Sequence, residues 1–181
     1  NMNEDRDVWE FHITERESKN LVIVDPAFAD QYEEHGCVIE LENKVGITVL
    51  AINDELAKVS VYESKVQESE VEFLNEADVD ILSNSLIIAD EQHIKDFEPF
   101  TEDKVDADLK KTESEGYTAE LNPGHTQDEF TPTGAITTVV NQGMGILGDG
   151  KAFTITTPGK GRLPITKEDV YGVDTVEIDF R

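Results

Sequence analysis

The chain carries 40 acidic against 15 basic residues in 181, a formal net charge of -25, and this balance excludes direct binding to nucleic acid or to an anionic membrane surface, both of which need clustered Lys and Arg. No apolar run approaches the roughly 18 residues of a membrane-spanning helix, and a chain of this length can bury about 70% of its unfolded surface around one core or two small ones. Cys37 is the sole cysteine, so intramolecular disulfides and thiolate metal clusters are excluded, and its place at the head of an apolar strand pattern assigns it to core packing.

In chain order, Trp9, Phe11 and Ile13 alternate with Glu10 and His12, the period of a half-buried strand that turns His12 outward or sideways. Asn20 to Val24 follows as a short apolar strand. Asp25 as N-cap, Pro26 at the first helical position, Phe28 and Tyr32 four apart and Gly36 past the end predict a helix over 26–35, with His35 suited to its negative pole. From Cys37 to Glu63 the alternation of Ile39, Leu41, Val45, Ile47, Val49, Val59 and Val61 with polar residues predicts a meander turning at Asn43-Lys44 and Asn53-Asp54-Glu55. Weaker strands are expected at Val71 to Leu74, Val79 to Leu82 and Ser85 to Ala89. Asp90 then caps a short helix through Phe97, stopped by Pro99.

Segment 101–116 has high charge density and no apolar face, which predicts a charged linker or solvated helix between an acidic β-rich module, 1–100, and a Gly/Thr-rich β module, 117–181. The second module is organised around Thr133 to Thr157. Asp149 and Lys151 are its only ionisable side chains, and β-forming residues are broken by the turn signal Gly148-Asp149-Gly150. Residues 131–166 carry a net charge of +2, whereas everything before them carries -24. A nearly neutral hairpin in an anionic chain suits packing against protein, so Ile136, Val139, Val140, Met144, Ile146, Leu147, Phe153 and Ile155 are expected to form a docking surface. A last strand alternates Val176, Ile178 and Phe180 with Glu177 and Asp179.

Motifs of chemistry are few. Gly143-x-Gly145-x-x-Gly148 spells the dinucleotide fingerprint, but a strand pattern rather than a helix follows it, so the glycines are assigned to turns and close backbone approach. Asp90, His93 and Asp96 share one helical face and could hold a cation. Asp78 and Asp80, or Asp103, Asp106 and Asp108, have the character of calcium ligands without the sixth-position glycine and closing Glu of an EF-hand. His125 and Asp128 could join a Ser or Thr in a triad, although no sequence pattern selects them.

The expected fold is mainly β with one or two short helices, an antiparallel meander forming a sandwich or small barrel, possibly in two sub-modules. The expected function is a non-enzymatic structural or assembly subunit of a larger particle: a shell, a virion, as a capsid decoration or accessory protein, or a surface layer. It would be soluble, in a virion or outside the cell, with protein partners, as a homo-oligomer, and with no cofactor, nucleic acid or membrane. The alternatives are a β-rich hydrolase or lyase with a carboxylate-centred site, and an acidic ligand-binding or inhibitory module.

Overall fold

A computed structural model of the chain describes residues 5–13, 16–95, 138–140, 144–147 and 152–181. It is mainly β: two antiparallel sheets packed as a sandwich, with two short helices and no closed barrel. The first sheet contains β1 (Arg6–Ile13), β4 (Val45–Ile52), β5 (Glu55–Glu63), β7 (Asp78–Ile81), β12 (Gly161–Val170) and β13 (Val173–Asp179), in the spatial order β1-β4-β5-β13-β12-β7. The second contains β2 (Asn20–Val24), β3 (Cys37–Glu40), β6 (Glu72–Phe73), β8 (Ser85–Asp90), β9 (Thr138–Val140), β10 (Met144–Leu147) and β11 (Ala152–Thr156), in the order β6-β3-β2-β8-β11-β10-β9.

The β4–β5 hairpin follows from its turn. Ile52 pairs with Glu55, and the two residues between them, Asn53 and Asp54, take left-handed φ values of 51° and 66°. That is the geometry whose twist matches two flanking strands, and Asn and Asp tolerate it. Inward positions of the first sheet are filled by Val45, Ile47, Val49, Val59, Val61, Val176 and Ile178, which pack in one core with Leu21, Ile23, Ile39, Leu86, Ile88, Phe153 and Ile155 from the second. Phe11 on β1 meets Phe153 on β11 across the layers, ring centroids 5.2 Å apart.

Strands β2 and β8 are buried on both faces, which explains why they read as the continuous apolar runs Leu21 to Val24 and Leu86 to Ala89. The outer face of the second sheet, including Val22, Val24, Val38, Ile87 and Ala89, is covered by Ala29, Tyr32 and Ile94. These belong to the helical layer. A 3-10 turn, Pro26–Gln31, leads into α1 (Tyr32–His35), and α2 (Glu91–Lys95) follows β8 directly. The single helix expected over 26–35 is thus two short pieces, with Phe28 leaving helical geometry at φ -113°, ψ 16°. Gly36 has φ -118°, so it is not a left-handed terminator. It is there for space, because a Cβ would lie 2.8 Å from the Ile23 carbonyl oxygen and 2.9 Å from that of Tyr32.

Strands from the expected modules 1–100 and 117–181 pair with one another. Strand β13 lies against β5, β12 against β7, and β11 against β8, so strands from both parts interleave in both sheets around one core. Segment 101–116 lies outside the described residues. Strand β12 has Pro164 within it, and its exposure does not alternate. Its Gly161 to Pro164 half pairs with β7 and its Ile165 to Val170 half with β13. Pro164 falls where the partner changes, so the N–H it lacks is not missed from a continuous ladder.

Candidate functional site

The chemistry of this molecule lies in its carboxylates, and burial divides them into two groups. Asp25, Glu63 and Asp90 are buried, and each is surrounded by donors from its own backbone. Asp25 accepts from Ala27 N–H and also reaches across to Leu82 N–H, Ser83 N–H and the Ser83 hydroxyl, tying the start of the helical layer to the turn between β7 and β8. Glu63 Oε1 accepts from Glu42 and Asn43 N–H, which closes the β3–β4 turn onto the end of β5. Asp90 caps α2 through Gln92 N–H and holds the approach to β2 through Glu17 and Ser18 N–H. Asp174, less buried, accepts from Val71 N–H. These groups staple loops.

Arg16 completes this interior network. Its guanidinium donates to the carbonyls of Asn43, Ser18 and Leu41 at 2.7, 3.0 and 3.1 Å. Burial pushes its pKa down, opposed by the charges of Asp90 and Glu63. Nothing in its local sequence marks it, since two of its three acceptors lie in one turn 25 and 27 residues on. Cys37 is fully buried and its thiol is pushed up to about 12 by burial, then by the charge of Asp78, so it is a core residue.

A set of more exposed carboxylates lines a groove of about 870 Å³ at one end of the sandwich, reached also by Glu63 and Asp174. Glu40 and Glu42 supply one wall, Glu68, Glu70 and Glu72 another, and Asp169 and Asp174 the third, beside the tip of the β12–β13 hairpin. Lys167 is the single basic residue of the lining, and it is engaged, donating to the Val71 carbonyl at 2.8 Å and standing 3.9 Å from Asp174.

A third cluster occupies the outer face of β7. Arg162 bridges Glu76, Asp78 and Asp80, and His35 Nδ1 lies 2.8 Å from Asp80 with its ring stacked on Phe28 at 4.2 Å. His35 was expected to serve the helix dipole; its partner is a strand carboxylate instead. Asp78 and Asp80, considered as calcium ligands, are both ion-paired to Arg162.

Among the docking residues expected from sequence, Phe153 and Ile155 are packed into this chain's own core, so their apolar surface is used internally. Their pairing explains this: β11 is hydrogen-bonded to β8 and carries the core layer outward by one strand. Val139 and Val140 lie on β9, and Met144, Ile146 and Leu147 on β10, where the register places Met144 opposite Ile155 and Ile146 opposite Phe153. Ile136 lies outside the described residues, as do Asp96, Asp103, Asp106, Asp108, His125 and Asp128. Gly145 sits within β10, between Val139 and Thr154, and β11 follows it as a strand. Among the described residues, no group of three or more His, Cys, Asp or Glu is arranged to hold a metal ion, and no helix is long and apolar enough to cross a membrane.

No protein-family model, no curated protein and no solved structure matches the chain.

Proposed function

We propose that this chain is a non-catalytic structural subunit that works by docking onto protein in a larger assembly: a shell, a virion in which it decorates or accompanies the capsid, or a surface layer. The observation that carries the reading is the use made of the interior carboxylates. Asp25, Glu63 and Asp90 are committed to backbone N–H donors, so these interior carboxylates are engaged in holding loops. The acidic exterior keeps free copies apart and soluble until a specific contact is made. Light scattering and direct imaging of the native sample test it. Self-association or binding to an assembly is expected, and a chain that stays strictly monomeric and binds no assembly at any concentration overturns the reading.

An acidic ligand-binding module is the second reading, favoured by the groove of Glu40, Glu42, Glu68, Glu70, Glu72 and Asp169 around the single Lys167. A lysine-rich peptide should then bind with an affinity that falls steeply with salt, whereas association of like-charged copies should not weaken in that way, because salt screens their mutual repulsion. A carboxylate-centred hydrolase or lyase has less support. Such a site needs acids free to exchange protons with a substrate, and the buried acids among the described residues are engaged by their own backbone.

A further inference from the structure

We propose that the edge of β1 away from β4 is a contact between two copies of this chain, paired antiparallel about a two-fold axis at Val8. This rests on the assembly reading and names the surface through which it begins.

Strand β1 is eight residues long, contains no proline, and is an end strand of its sheet, paired with β4 alone among the described strands. Its register with β4 is continuous from Arg6 opposite Ile52 to Ile13 opposite Val45, and Asn53 N–H donates to the Asp5 carbonyl at 2.8 Å one step before it. Asp5 and Asn53 are therefore a hydrogen-bonded pair, and antiparallel alternation then turns the backbone groups of Asp7, Trp9, Phe11 and Ile13 toward β4. Those of Arg6, Val8, Glu10 and His12 point away from the sheet. Val8, in the middle of this row, is 62% exposed. Long edges of this kind template pairing unless something blocks them.

The side chains on the solvent face of β1 choose the partner. Two copies extending one sheet about an axis normal to it must set even-numbered residues against even-numbered ones, which leaves three central registers. An axis at Glu10 puts two glutamates opposite each other. An axis at Trp9 sets Arg6 against His12 and Val8 against Glu10. An axis at Val8 sets Val8 against its copy and Arg6 against Glu10 on both sides, so two exposed valines cover each other between two opposite-charge pairs. Directly opposed like charges destabilise a ladder and opposite charges stabilise it. The strand is thus self-complementary in one register, which favours a second copy over an unrelated partner strand.

The test uses the whole chain and two kinds of variant. Val8→Cys should be cross-linked to its own copy on mild oxidation, because hydrogen-bonded antiparallel partners stand about 5.5 Å apart at Cα, within disulfide reach. Trp9→Cys and Glu10→Cys report the other two registers and should cross-link poorly, while buried Cys37 stays silent. In light scattering, Glu10→Arg should weaken self-association roughly tenfold, and the double variant Arg6→Glu with Glu10→Arg should restore it. Hydrogen exchange should show the amides of Arg6, Val8 and Glu10 gaining protection as concentration rises. Wild-type self-association without cross-linking at Val8 and without rescue by the charge swap overturns this contact and leaves the assembly reading standing. A wild-type chain that is monomeric at every concentration and binds no assembly overturns both.

Discussion

Asp25 shows how one side chain can be legible in part. As an N-cap it accepts from Ala27 N–H at 2.8 Å, which the following proline suggested, but its second oxygen accepts from Leu82 and Ser83 N–H, 57 and 58 residues away. Asp25→Ala should therefore cost more than the ~1 kcal/mol of a lost cap, because three further donors, Leu82 N–H and the Ser83 N–H and hydroxyl, also lose their acceptor. A loss of about 3 kcal/mol or more in urea unfolding is expected, with the helical layer and the β7–β8 turn losing exchange protection together. Cys37 gives a prediction in alkali. Burial raises its thiol from the ordinary 9.0 to about 12, and burial with the Glu91 hydrogen bond raises Tyr32 from 10.0 to about 12. Above pH 9 the unfolded chain releases a proton that the folded chain keeps, so this stability is complete below pH 9 and is lost as pH climbs toward 12. Each group contributes a slope of at most about 1.4 kcal/mol per pH unit. Urea midpoints measured from pH 8 to 11 should fall, and Cys37→Ala should flatten the early part of that fall.

At the level of elements, the β12–β13 hairpin carries its own test. Val170 pairs with Val173, and the two-residue turn between them holds Tyr171 at φ 53° and Gly172 at φ 89°. Both positions are left-handed, which suits Asn-Gly, and the Tyr171 side chain is fully exposed. Tyr171→Asn should raise stability by about 0.5–1 kcal/mol, whereas Gly172→Ala should lower it by about 1 kcal/mol, both read from thermal or urea unfolding. The contrast with β4–β5 is instructive. There Asn53-Asp54 announced a turn; here a tyrosine in the left-handed position hid one, and Pro164 hid the strand before it. Gly46 was legible as a strand residue but not for its role, which is to leave room for the Tyr62 ring, 2.5 Å from where a Cβ would stand.

For the molecule as a whole, the net charge of -25 sets the electrostatic background. Self-repulsion opposes the compact state and salt screens it. Stability in urea should therefore increase from low to moderate sodium chloride concentration, and the gain should shrink in variants that neutralise glutamates of the groove, such as Glu68→Gln with Glu70→Gln. A molecule held mainly by exposed ion pairs would behave in the opposite way, losing stability as salt rises. Among the described residues the exposed pairs, such as Lys19 with Glu42, are few.

An acidic, mainly β chain with short helices, the place of most of its strands and the outward face of His12 were legible before folding, because alternation and turn chemistry act over a few neighbouring residues. Tertiary structure alone decided that strands on both sides of 101–116 share two sheets, that Phe153 and Ile155 serve this chain's core, and that the acids split into buried staples and an open groove. The reason is distance along the chain. Arg16 with Leu41, Asp25 with Leu82, and Val71 with Asp174 lie 25, 57 and 103 residues apart, and no local pattern records a partner that folding brings from so far away.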